Sequence, residues 1–450
     1  MNSHSLRIHD RNSTFHRAVF IILFLSAVLA FPASGEDSRE LTLSEAISLA
    51  LVNNPSLNEA SEKEKAARAV ELDARSSRKV QARLDSRQTS LNKVPEMSVD
   101  PRVPAIALGD KNSLTSTVTV QKVLSSGGRL EGMIRQARGS REVADLGRER
   151  TRQMVAFEAE IAFLQLVLAQ GELGVAQGAF DTASEYMRVA QSRFESKSVA
   201  EFDVLRAGVQ VEESRQDVIK TRAGIEIAKA ALIQAIGLRQ GNFIATETGL
   251  IASFPIPSLE ESLKIACQQR PEMQSADWRI DSAKAGIKTA KGESRPTLSI
   301  SSSYQKMDHE TAFQMNQWTA ILAAGIPLVD GGHGRSKVQS ARAQLEQQKA
   351  GRDATTNQIE KEVRQAHARL SSAHSQIDVA VKRVEFAEEM LRITHVRYSS
   401  GMSTATEVAD AQTSLTRARQ GYIRALSDMR MAAAEFRLAM GEHSTVKEGN

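Results

Sequence analysis

The 450-residue chain contains one cysteine, Cys267, so it cannot form an internal disulfide. Aromatic residues make up only 4% of it, which is poor material for a compact globular core. There are 10 prolines, and none falls between Gly334 and Ser399. That stretch of about 65 residues would span about 100 Å as one helix. No basic block stands out and the net charge is only +4, so nucleic acid is not an expected partner. No nucleophile–base pairing or ligand cluster appears. The run Gly331-Gly332-His333-Gly334 lacks the Lys-Ser/Thr of a phosphate loop. No enzyme, metal or cofactor chemistry is therefore expected. Beyond the N-terminus, no segment reads as a transmembrane helix, so any later membrane insertion must use strands.

The N-terminal region itself has Arg7, Arg11 and Arg17, an apolar run from Val19 to Phe31, and then Ala33-Ser34-Gly35. Thirteen apolar residues fall short of the roughly 20 that a spanning helix needs, so residues 1–35 read as a cleaved secretory signal peptide. No cysteine follows the run, which excludes a lipid attached there. Cleavage removes three Arg and one Asp and leaves a net charge of +2.

What the chain has in abundance is a heptad of one large residue and one alanine, written four times. Val408, Leu415, Tyr422, Met429 and Phe436 alternate with Ala411, Ala418, Ala425, Ala432 and Ala439. Val363, Leu370, Ile377, Val384 and Leu391 do so with Ala366, Ala373, Ala380, Ala387 and Thr394. In the first half, Leu166, Leu173, Phe180, Met187 and Phe194 go with Ala162, Ala169, Ala176, Ala183 and Ala190. Val204, Val211, Val218, Ile225 and Leu232 go with Ala207, Ser214, Thr221, Ala228 and Ala235. Spacings of 3 and 4 sustained this long make a coiled-coil seam, and alanine at every second position lets backbones approach closely.

The two halves are duplicates. Arg193-Phe194 maps onto Arg397-Tyr398, Asp203-Val204 onto Glu407-Val408, and Gly127-Gly128 onto Gly331-Gly332, each 204 residues on. Upstream, Leu43, Glu45, Ala50 and Pro55 map onto Leu259, Glu261, Ala266 and Pro271. The extra residues of the first half lie between Ala82 and Leu114, where Pro95, Pro101 and Pro104 indicate an irregular loop. The expected organisation is a first repeat over 36–240, a linker over 241–258, a second repeat over 259–441 and a polar tail over 442–450. Each repeat opens with a helix, Ser44–Ser77 or Leu259–Gly292, with Ser44 and Ser258 as candidate N-caps. Each then ends in a long helical hairpin. The second hairpin turns at Tyr398–Met402 with Gly401 as C-cap. In the first, Lys197 stands where Gly401 does, so a differently shaped tip is expected.

Between the helices lie four candidate strands. Leu298, Ile300, Ser302 and Tyr304 alternate with serines, and Trp318, Ala320, Leu322 and Ala324 with Gln317, Thr319 and Ile321. Leu114, Ser116, Val118 and Val120 alternate with threonines, while Val80, Ala82 and Leu84 sit in a charged segment. Such segments suit an outer-membrane barrel or a soluble hairpin capping a coiled coil. Four strands cannot close a barrel, so a membrane reading requires several protomers to share one.

In this arrangement the chain resembles the TolC-type outer-membrane factor family. The resemblance rests on the duplicated opening (Leu43, Glu45, Ala46, Pro55; Leu259, Glu261, Ser262, Pro271) and on Pro-Leu-Val-Asp-Gly-Gly at 327–332. It rests also on Arg-Tyr-x-x-Gly at 397–401 with Glu407 and Asp410 beyond, matched by Arg193-Phe194 and Asp203. It implies a mainly α fold with β, in which long antiparallel coiled coils form an α-barrel across the periplasm. Each protomer of a homotrimer would add four strands to a 12-stranded barrel in the outer membrane. It implies an exit duct for a tripartite efflux pump or type I secretion system, with a periplasmic adaptor and an inner-membrane pump as partners. Glu407 and Asp410 would then form a ring of six carboxylates at the narrow end, although first-turn acids also simply complement a helix dipole. Asp203 would bond Tyr398 to lock the closed gate, with Arg206 at the position matching Asp410. The turns at Lys197, Ser198, Gly401 and Met402 would meet the adaptor. His367 and His374, seven apart, read as surface histidines, because a zinc site needs three or four convergent ligands. The competing reading is a periplasmic adaptor or structural protein, which would carry one hairpin and β-rich flanking domains rather than two hairpins and little β.

Overall fold

The computed structural model describes residues 39–98, 102, 106–107, 110–246, 256–309 and 315–442. The expected leader, residues 247–255 of the expected linker and the tail beyond 442 lie outside them. One order of elements occurs twice. The first half has β1 (Arg39–Leu41), α1 (Leu43–Asn53), α2 (Pro55–Ser76) and β2 (Gln81–Ser90). It continues with β3 (Glu96–Met97), β4 (Ile106–Ala107), β5 (Asn112–Ser125), α3 (Arg129–Glu195), α4 (Glu201–Ala235) and β6 (Phe243–Ala245). The second has α5 (Leu259–Gln269), α6 (Pro271–Glu293), β7 (Thr297–His309), β8 (Met315–Gly325), α7 (His333–Ser399) and α8 (Ala405–Met440).

Each opening helix is in fact two. Asn54 and Arg270 precede proline and take extended backbone (ψ 123° and 127°), which ends one helix and starts the next. The first N-cap is Thr42 rather than Ser44: its hydroxyl accepts from Glu45 N while the Glu45 carboxylate accepts from Thr42 N, a complete capping box. Ser258 caps α5 as expected. The loop read as irregular holds the short antiparallel pair β3–β4.

The long helices each run 67 residues, about 100 Å, and double back as α4 and α8. Their seams are the heptads. Ala176, Ala183 and Ala190 of α3 and Ala207, Val211 and Val218 of α4 are buried, as are Val363, Ala366 and Leu370 of α7 and Val408, Ala411 and Leu415 of α8. The first hairpin also packs on the second through α3 and α8. The largest buried side chains, Phe163 and Phe436, anchor two clusters, one in each half. Full burial of such a residue is worth about 1.5–3 kcal/mol. By length and composition α3 is apolar enough to cross a membrane, which the sequence reading did not anticipate. Its apolar residues Val155, Phe163, Leu164 and Leu166 are instead buried against neighbouring elements.

The expected strands form one antiparallel sheet in the order β2-β5-β7-β8, leaving β2 and β8 as bare edges. Register places Leu84, Val118, Tyr304 and Trp318 in one row across all four strands, with Ala82, Val120, Ser302 and Ala320 in the next. Paired residues share a face, so this face is mostly apolar. The opposite face carries Thr115, Thr117, Thr119, Ser299, Ser301 and Ser303. On the apolar face Trp318 is 69% exposed and Leu322 66%. Consecutive left-handed glycines, Gly127-Gly128 and Gly331-Gly332 (φ 60–97°), turn the sheet into the long helices, as expected for residues without a Cβ.

Candidate functional site at the helical tips

Both tips close the same way. At the second, Gly401 N donates to Tyr398 O at 3.0 Å and Met402 N to Arg397 O at 2.9 Å, with Gly401 at φ +74°. At the first, Lys197 N donates to Phe194 O at 2.8 Å and Ser198 N to Arg193 O at 2.9 Å. Lys197 reaches φ +59°, the only non-glycine among the described residues with positive φ. The differently shaped first tip is therefore not observed. The two crossing hydrogen bonds impose the left-handed residue, and lysine adopts it at a cost of roughly 1–2 kcal/mol. Lys197→Gly is expected to stabilise the fold by a net ~0.5–1 kcal/mol and so raise the thermal midpoint, part of the gain being offset by the freer unfolded chain. A lowered midpoint in circular dichroism would instead show that the lysine side chain holds the tip.

The tips are tied to one another by two arginines, Arg193 and Arg206, whose partners the sequence did not disclose. Arg193 on α3 donates from Nη1 to Tyr398 O at 2.9 Å and from Nη2 to Ser399 O at 2.8 Å. Its guanidinium also lies 4.7 Å from the centroid of the Tyr398 ring. It thereby satisfies carbonyls at the end of α7 and places positive charge at the negative end of that helix. Arg206 on α4 donates to Thr406 Oγ1 on α8 at 2.6 Å, so the residue expected opposite Asp410 holds the neighbouring turn instead.

Tyr398 is buried with Tyr186, their ring centroids 5.5 Å apart. The two hydroxyls approach without a well-formed hydrogen bond, and Tyr398 Oη makes none to Asp203. The expected Asp203–Tyr398 lock is thus not made in this conformation. The Asp203 charge bears on Tyr186 instead. Burial first, then the Tyr398 hydroxyl and the Asp203 carboxylate, push the Tyr186 phenol well above its ordinary value, against an opposing effect of Arg206. The ring therefore stays neutral across physiological pH.

Glu407 and Asp410 lie exposed on α8, one turn apart. Glu407 N donates to the N-cap hydroxyl of Thr404 at 3.3 Å, and its carboxylate accepts from Ser403 Oγ. Ser198 and Met402 are exposed at their turns. Among the described residues no group of three or more His, Cys, Asp or Glu converges on a metal position. His367 lies against Phe436 and reaches Pro257 O at 3.2 Å; His374 is exposed.

A family model described as outer membrane efflux protein matches residues 46–238 and 263–442. The chain belongs to the outer membrane efflux protein family. Protein CyaE of Bordetella pertussis is 24% identical over 91% of this chain and 86% of its own. The cobalt-zinc-cadmium resistance protein CzcC of Cupriavidus metallidurans is 23% identical over 92% and 93%. Among solved structures, the outer membrane protein VceC of Vibrio cholerae superposes with a TM-score of 0.76 at 18% identity, over 89% of this chain and 96% of that one. The CmeC outer membrane channel of Campylobacter jejuni does so at 0.77 and 17%, over 89% and 86%. The TolC-like fold that the family resemblance implies is the fold of this chain, and family and fold are those of channel proteins.

Away from the tips, this family member carries a second feature that no local pattern announces. Arg270, between α5 and α6, is 3% exposed and bonds Glu272 at 2.7 Å and Glu362 of α7. Arg150 of α3 reaches Glu272 at 2.8 Å. Burial works against ionisation of both acids. The Arg270 bonds and the Arg150 and Arg270 charges outweigh it and hold both below the usual carboxylate range.

Proposed function

We propose that this protein is the outer-membrane exit duct of a tripartite efflux pump or type I secretion system. It acts as a passive homotrimeric channel, its helices lining a tube through the periplasm. A periplasmic adaptor, working with an inner-membrane pump, opens it at the tips. The observation that carries this reading is the sheet. It has two bare edges and faces of opposite polarity. A bare edge in water invites uncontrolled pairing, and four strands are too few to close on themselves. Joining β8 of one copy to β2 of the next in a ring of three makes 12 strands with no edge left. The row Leu84, Val118, Tyr304 and Trp318 then faces lipid, and the serines and threonines face a wet lumen. A periplasmic adaptor would leave that apolar row unshielded in water.

At the opposite end, Glu407 and Asp410 form the cation-selective ring of six carboxylates. Asp203, Tyr398 and the arginines around them make up the gate. Lys197, Ser198, Gly401 and Met402 are the contact points for the adaptor, which parts the hairpins from outside. Detergent extraction of outer membranes is expected to yield a heat-sensitive trimer that conducts in planar bilayers and prefers cations. Glu407→Ala with Asp410→Ala should remove that preference while leaving the trimer intact. A water-soluble monomer would overturn the duct, and unchanged selectivity would overturn the ring alone.

A further inference from the structure

We propose that the face of α7 bearing Met390 and Arg397 seats the first tip of a neighbouring copy of this chain. The Arg397 guanidinium donates to the backbone oxygens of the partner subunit's Phe194 and the partner subunit's Glu195. Met390 packs on the ring of the partner subunit's Phe194. This rests on the trimeric reading and adds to it a residue-level contact that closes the ring of tips.

The warrant is a clamp already present inside the chain. Arg193 grips Tyr398 O and Ser399 O and lies over the Tyr398 ring. Tyr186, two turns earlier on the same face, packs on that ring. The duplication supplies a second full set 204 residues away: Arg397 for Arg193, Met390 for Tyr186, Phe194 for Tyr398, Glu195 for Ser399. The chemistry carries over. The arginine is retained, a methionine sulfur suits a ring edge, and backbone carbonyls are indifferent to side-chain identity.

Within one chain this second set is unfilled. Among the described bonds the Arg397 side chain reaches only Met402 O of its own tip, at 3.4 Å. Phe194 is 42% exposed where Tyr398 is 4%, and Met390 is 42% exposed where Tyr186 is 4%. The acceptors are nevertheless in place, because Lys197 gives the first tip the same backbone shape as the second. Among the described bonds Phe194 O accepts the Ser196 and Lys197 amides and no side chain, whereas Tyr398 O, capped by the matching Ser400 and Gly401 amides, also receives Arg193.

The occupant is a second copy because the complementary surface is this chain's own. On α4, Phe202, Leu205 and Val209 are exposed on one face, whereas their counterparts Thr406, Ala409 and Thr413 on α8 are half-buried. The duplicate of the observed α3–α8 packing is α7 of one copy on α4 of the next.

The test uses full-length protein in outer membranes with Cys267→Ser. Met390→Cys with Phe194→Cys, treated with a short bis-methanethiosulfonate linker, should shift the denatured protein to dimer and trimer mass. Tyr186→Cys with Tyr398→Cys should link within one chain and leave the mass unchanged. Separately, Arg397→Ala should raise resting conductance in planar bilayers about as much as Arg193→Ala. An intact trimer giving no cross-chain product, or unchanged conductance in Arg397→Ala, overturns the contact and leaves the duct standing. Absence of any trimer overturns the duct itself.

Discussion

Arg193→Ala leaves the channel leaking at rest. The side chain makes two charge-assisted hydrogen bonds to helix-end carbonyls and stacks on Tyr398. It is half-exposed, so water compensates part of the loss and about 2 kcal/mol per subunit remains. That shifts the balance between parted and joined tips about thirtyfold. Resting conductance in planar bilayers should rise accordingly. Arg193→Lys keeps the charge but loses the planar fork that spans two carbonyls, so it should fall between the two. If Arg193→Ala stays as closed as the parent, the arginine serves only to cap a helix. The tip would then be shut by apolar packing of Tyr186, Tyr398 and Val408.

Arg270→Ala produces the largest expected loss of stability. Breaking a buried ion pair from one side costs about 3–5 kcal/mol. Here the stranded partners Glu272 and Glu362 are 28% and 36% exposed, so water relieves them and about 2–3 kcal/mol remains. The thermal midpoint in detergent should drop by several degrees. The pH dependence has a definite sign. Both acids have folded-state pKa values below their ordinary one, so their contribution is complete above about pH 4.5 and is lost as pH falls through the lowered values. The gap between parent and Arg270→Ala should therefore be widest near neutrality and narrow on acidification. A gap that persists unchanged at pH 3 would assign the loss to the cavity left by the side chain instead.

The heptads announced the hairpins because a 3-and-4 spacing repeated five times has no other physical use. The sheet was legible from alternation at Leu298–Tyr304 and Gln317–Ala324, and only weakly at Gln81–Ser90, whose charged residues Arg83, Asp85 and Arg87 belong to the polar face. The breaks at Asn54 and Arg270 were signalled by the following prolines but hidden by an otherwise continuous helical pattern. Thr42 and Glu45 spelled out a capping box that a nearer serine obscured. Lys197 misled because the left-handed position is set by hydrogen bonds across the turn rather than by residue preference. The clamps were illegible for a different reason. Arg193 and Tyr398 lie 205 residues apart, and Arg270 and Glu362 are separated by 92. Only the fold brings such pairs together.

The bare strands β2 and β8 carry one further implication. In a closed ring every copy must offer a sound margin on both sides, and no copy can be bypassed. A subunit with one spoiled margin would still join a healthy neighbour through the other and hold two good chains in an unfinished assembly. Damage to this part of the gene should therefore behave as dominant, while a chain that fails to fold at all would merely be missed.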